Sequence, residues 1–192
     1  KICINNYLDI QKHLGNKQIN IEIGFGSGEH LANLAKENPS ENFIGCEAYY
    51  NGIVNLAHKV SENELTNVHI YNGDAIDLIT EFPDNSISKI YLLFPDPWPK
   101  RKHYKRRFIN QDNLNLISKK LKKEGNLYIA TDFENYADWI LGKLVNHDSY
   151  VWKNSNITEW FSIPDYFTPT KYYQKARMVG SDIYFFEFQT SP

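Results

Sequence analysis

The stretch Gln18-Ile19-Asn20-Ile21-Glu22-Ile23-Gly24-Phe25-Gly26-Ser27-Gly28 decides how this chain folds. Its first half alternates polar and apolar residues, the period-two signature of a short strand. Its second half has three glycines in five positions, which suits a tight turn where backbone comes close to a ligand. Glu29 to Lys36 then sets Leu31, Leu34 and Ala35 on one helical face. Strand, glycine turn and helix together make the first half of a βαβ unit.

The spacing narrows the ligand. A dinucleotide fingerprint wants Gly or Ala where Glu29 stands, so a nicotinamide oxidoreductase is disfavoured. The pattern is instead Glu-x-Gly-x-Gly-x-Gly, with Glu22 two residues before Gly24 and with Gly26 and Gly28 following. An acid at the strand's carboxyl end predicts a ligand carrying a cationic group, not a pyrophosphate. Glycine triplets also serve purely steric needs, but the next strand, Asn42 to Glu47, ends in an acid 25 positions after Glu22. In such folds an acid there accepts hydrogen bonds from ribose hydroxyls, which is the role expected of Glu47; the alternative is a helix N-terminal acid facing the dipole.

Further out, residues 50 to 60 read as a helix and Val68 to Tyr71 as a strand, followed by Asn72-Gly73-Asp74-Ala75. Asp74 has two readings: a cap on the helix Ala75 to Glu81, or a neighbour of an adenine amine. The run Ile87 to Leu93 reads as a buried strand that gives way to Phe94-Pro-Asp-Pro-Trp-Pro-Lys-Arg-Lys-His-Tyr-Lys-Arg-Arg-Phe108. Prolines 95, 97 and 99 fix their own φ and bias each preceding residue to extended geometry, so Asp96 and Trp98 are expected on a stiff loop. Lys100 to Arg107, with His103 and Tyr104 interleaved, favours polyanions and stacked bases over the blander solvated helix start.

Phe108 to Lys123 reads as a helix closed by Glu124-Gly125, and Asn126 to Asp132 as a strand ending in an acid. Glu22, Glu47, Asp96 and Asp132 are therefore expected to gather at the ligand edge of one sheet. A helix over Phe133 to Asn146, a short strand Tyr150 to Trp152, an aromatic loop over 154 to 169 and a last strand Ile183 to Phe188 complete the reading, the last two strands as an antiparallel hairpin. The segment Thr170 to Arg177 is polar and basic.

With 192 residues, 42% hydrophobic and 15% aromatic, the chain holds one domain with one good core. Its net charge of -2 means that attraction to nucleic acid comes from clustering alone. Cys3 and Cys46 lack metal or disulfide spacing, no apolar run reaches membrane-span length, and no leader pattern is seen, so a cytoplasmic protein is expected, with neither metal nor membrane. The chain opens on Lys1 without Met, as a fragment or processed piece would.

Glu22-Ile-Gly-Phe-Gly-Ser-Gly28 together with Phe94-Pro-Asp-Pro-Trp-Pro-Lys100 and its basic run resembles the bacterial tRNA (guanine-N7)-methyltransferase family over nearly the whole chain. The first motif is shared by many S-adenosylmethionine enzymes; the second is far more specific. The resemblance implies an α/β class I methyltransferase fold: a Rossmann-like, mostly parallel seven-stranded sheet with an antiparallel C-terminal hairpin and helices on both faces. It implies a monomer or homodimer that moves a methyl group from S-adenosyl-L-methionine to N7 of guanine 46 in tRNA. Glu22, Gly24, Gly26, Gly28, Glu47, Asp74 and Asp96 would surround the donor, with Asp96 catalytic. Lys100, Asp132, Thr170, Lys171, Tyr172 and Tyr173 would face tRNA, which would also meet the basic stretches 100–107 and 170–177. The family reads Thr-Lys-Phe/Tyr-Glu from position 170, and Tyr173 replaces that acid. The rivals are a methyltransferase of protein or adenine amino groups, and a non-catalytic tRNA-binding subunit.

Overall fold

The computed structural model describes residues 2–154 and 156–192; Lys1, on which the chain opens, and Ser155, in the aromatic loop, lie outside them. In chain order the elements are β1 (Cys3–Ile4), α1 (Tyr7–Leu14), β2 (Ile19–Ile23), α2 (Glu29–Glu37), β3 (Asn42–Cys46), α3 (Tyr50–Glu62), β4 (Val68–Tyr71) and α4 (Ala75–Glu81). There follow β5 (Ile87–Leu93), α5 (Gln111–Lys120), β6 (Leu121–Thr131), α6 (Glu134–Leu144), β7 (Tyr150–Trp152), α7 (Lys171–Met178) and β8 (Tyr184–Thr190). Two 3-10 segments, Arg101–Arg106 and Ile157–Phe161, lie in the connections.

The strands form one sheet in the order β1-β4-β3-β2-β5-β6-β8-β7. Neighbours from β1 to β6 pair parallel, and β8 runs antiparallel between β6 and β7. Side chains alternate across it: Ile90 and Leu92 pack with α1, α4, α5 and α6, whereas Tyr91 and Leu93 pack with α2, α3 and α7. Strand order reverses between β2 and β5. An open α/β sheet leaves its ligand crevice at that reversal, because the following helices depart to opposite faces.

Three differences from the sequence reading have physical causes. The sheet has eight strands among the described residues, one more than expected, because Cys3 and Ile4 pair with Ile70 and Tyr71. The fifth helix is shorter than Phe108 to Lys123: the Asn110 side chain accepts from the Asn113 amide and starts it late, and Leu121 leaves it to pair with Ile87. Lys122 to Gly125 then bulge out of β6, held by Thr190, whose hydroxyl donates to the Lys122 carbonyl and accepts from the Gly125 amide. Finally, Lys171–Met178 is a helix that periodicity did not reveal, since Ala176 is its one buried residue.

Candidate active site

The glycine turn leaves β2 with Gly24, Gly26 and Gly28 all at positive φ, 68°, 58° and 75°. Gly28 also admits no side chain: a Cβ there would lie 2.8 Å from Leu56 of α3. Glu47, just past β3, fixes the turn from the other side. One of its oxygens accepts from the Gly26 amide at 2.9 Å, and the other accepts from the Ala48 and Tyr49 amides at 2.9 and 3.0 Å. Gly52 rests directly on the Gly26 carbonyl, so α3 comes against the turn as closely as a glycine allows. The Tyr172 ring covers the outer side of Gly26.

Glu22 does something else. It is 2% exposed, and its carboxylate faces the Nδ1 of His30, itself fully buried, at 2.9 Å. The opposite nitrogen of His30 meets the Tyr166 carbonyl at 3.2 Å. Glu22 is therefore a buried anchor that, through His30, joins β2 to α2 and to the segment before α7, whereas Glu47 and Asp96 line the cleft.

Across the crevice, the loop after β5 departs from the extended geometry expected before prolines. Phe94 and Trp98 have φ of 53° and 43°, in the left-handed region that bulky residues avoid. The Phe94 amide is held by the Ala130 carbonyl at 2.8 Å, and Arg106 lies 4.8 Å over the Trp98 ring, with His103 at the ring's edge. Between these turns opens a cleft of about 460 Å³ lined by Gly24, Gly26, Glu47, Asp96, Trp98, Arg106 and Tyr172, among others. Asp96 stands exposed on its rim.

Five of the expected residues thus share the cleft: Gly24, Gly26, Glu47, Asp96 and Tyr172. Others are placed around it. Gly28 supports the turn from behind, Thr170 caps α7 by accepting from the Tyr173 amide, and Lys171 lies 3.9 Å from Glu29. Asp74 caps α4 by accepting from the Ile76 amide, the first of its two readings. Asp132 and Lys100 are exposed beyond the lining, and Tyr173 packs on Phe167. Cys46 is buried at the end of β3, and burial, followed by the charges of Asp74 and Glu47, pushes its thiol pKa up.

A family model described as a putative methyltransferase matches residues 16–186. The tRNA (guanine-N(7)-)-methyltransferase of Zymomonas mobilis is 36% identical over 90% of this chain and 75% of its own. That of Agrobacterium fabrum is 40% identical over 85% and 71%, and that of Wolbachia pipientis 39% over 89% and 74%.

The chain belongs to the tRNA (guanine-N(7)-)-methyltransferase family.

Solved structures confirm the fold of this family member. The 16S rRNA methyltransferase KamB superposes with a TM-score of 0.67 over 98% of this chain and 95% of its own, at 13% identity. A putative methyltransferase from Streptococcus mutans in complex with SAH gives 0.60 over 97% and 99%, at 10% identity. Some residues that shape the surroundings of the cleft were not singled out by the sequence reading. His30 and Gly52 left no local signal, because each matters through a contact distant in sequence. Arg107 gave a misleading one: it sits in the basic run yet is 1% exposed.

Proposed function

We propose that this chain transfers a methyl group from S-adenosyl-L-methionine to N7 of guanine 46 in tRNA, with Asp96 facing the purine. The observation that carries this reading is the position of Asp96, on the rim of a cleft with the glycine turn on one side and the 3-10 basic segment on the other. When bound, the cofactor supplies an electrophilic methyl carbon on a sulfonium. The cleft suits that cofactor: its backbone wall is open at Gly24, with the Tyr172 ring beside Gly26, and Glu47 has carboxylate capacity left after three amides, enough to meet a ribose hydroxyl.

Guanine N7 offers a lone pair and has no proton to lose, so the site needs alignment and placed charge, not a base. As the methyl–sulfur bond gives way to the methyl–N7 bond, positive charge would pass to the purine and leave a neutral thioether, and the Asp96 carboxylate would stabilise the charged ring. Arg101, Lys102, Lys105 and Arg106 are exposed along one segment and would hold phosphates; Lys100, Asp132, Lys171 and Tyr172 would flank the nucleotide. A tRNA substrate supports the reading of a cytoplasmic protein.

The test is incubation with methyl-labelled S-adenosylmethionine and an unmodified tRNA transcript, followed by chain cleavage at 7-methylguanosine. Cleavage at position 46 is expected; label in adenosine or in protein overturns the reading. Asp96→Ala is expected to lower the transfer rate by roughly 10²- to 10³-fold with tRNA affinity retained.

A further inference from the structure

We propose that Arg107 is a positioning residue for Asp96, acting through the carbonyl of Pro97, and not an RNA contact. This rests on the role given to Asp96 above. Composition puts Arg107 among phosphate-seeking cations, but it is one of the largest fully buried side chains of the protein. Its Nε donates to the Pro97 carbonyl at 2.9 Å, and its Nη2 donates to Asn135 Oδ1 at 2.7 Å. The guanidinium lies 3.7 Å over the Tyr104 ring, with Tyr136 and Trp139 at 4.9 and 5.1 Å.

The arrangement is costly, which is why it carries information. Nη1 is buried with no acceptor, and among the described residues no carboxylate forms an ion pair with this cation. A well-packed apolar side chain would fill the same space without that penalty. The geometry shows what the cation does there. Positions 95, 97 and 99 have no N–H, so the loop has few backbone donors: the Phe94 amide is tied to the Ala130 carbonyl, and Arg107 takes the carbonyl of Pro97, next to Asp96. The residues on either side, Phe94 and Trp98, are held at positive φ and would relax without an external clamp. The other end of the clamp, Asn135, stands in the first turn of α6, three residues after Asp132. Arg107 therefore fastens the two acid-bearing loops to each other.

A planar fork is needed to reach both acceptors while stacked; a lysine ammonium is a point donor without a plane. Arg107→Lys keeps the charge and removes the bridge. It is expected to lower kcat at saturating cofactor and tRNA by about 10- to 100-fold, the range that misplacement of a reacting group by about 1 Å produces. The slope of log affinity for tRNA against log salt is expected to stay unchanged. A slope smaller by about one, with kcat intact, identifies a phosphate contact and overturns the proposal. So does a lowered melting temperature with kcat per folded molecule intact.

Asn135→Ala removes the far acceptor from an exposed position and gives a second reading of kcat should Arg107→Lys not fold. Asp96→Asn by itself tests the role of Asp96. In that background, Arg107→Lys is expected to add no further loss in single-turnover rate; an additive loss means that Arg107 acts elsewhere and overturns the proposal.

Discussion

Two turns at the carboxyl edge of the sheet keep their backbone in the left-handed region by opposite means. The turn after β2 uses glycines, for which that region carries no steric cost, so its contacts with Glu47 and α3 have no strain to offset. The loop after β5 puts a phenylalanine and a tryptophan there, at a cost of about 1–3 kcal/mol each, and must be held by what surrounds it. The Phe94 amide on Ala130, Arg106 over Trp98 and Arg107 on Pro97 provide that hold. The difference matches the tasks. A turn that offers bare backbone to a cofactor is shaped best by having no side chains, whereas a loop that aims one carboxylate gains from being fixed at several points.

The largest expected effect comes from giving the glycine turn a side chain. In Gly28→Ala the new Cβ meets Leu56 at 2.8 Å at a φ of 75°, and overpacking plus left-handed strain amount to about 3 kcal/mol. Urea unfolding measures it; a loss below about 1 kcal/mol would mean that the turn needs no glycine, and the contrast between the two turns would break. A site remote from both serves as a control. His69, in β4, is buried with Nδ1 unpartnered, and burial first, then the charge of His13, lower its pKa from 6.5 to about 4. Between those values the unfolded chain takes the proton and the folded one refuses it. Stability is therefore full well above pH 6.5 and falls by about 3 kcal/mol as pH drops towards 4. Urea unfolding at several pH values is expected to show that slope in the parent and a flatter one in His69→Leu. The smallest effect sharpens the contrast itself: Trp98→Gly relieves the strain but removes the ring beneath Arg106. Stability is expected to stay within about 1 kcal/mol while the transfer rate falls about 10-fold; an unchanged rate would show that the loop needs no fixing.

Most of the sheet was legible because β2 and β4 alternate, β5 is a short apolar run, and β2, β3, β5 and β6 are closed within two residues by a glycine, an acid or a proline. Glu47 and Asp96 were legible as cleft residues for the same reason: in a parallel sheet the strand's end is the site's address. Glu22 was legible as the acid at the end of β2, but its burial against His30, the second residue of α2, was not, since spacing does not say which way an acid turns. Arg107 was misread because charge composition argues for solvent, and only the convergence of Tyr104, Tyr136 and Trp139 around it makes burial tolerable. The helix at 171–178 was invisible because a surface helix with one buried alanine has no stripe to find.

The placement of β8 between β6 and β7 bears on how the protein is made. A ribosome that has polymerised as far as Met178 has produced β6 and β7 but not the strand that joins them. Until residues 184–190 emerge, one flank of Leu121–Thr131 stays open, and an open strand flank invites pairing with another nascent copy. The aromatic connection over residues 156–169, whose Trp160 packs on Trp152 and Phe186, likewise completes its packing only after the last strand has arrived.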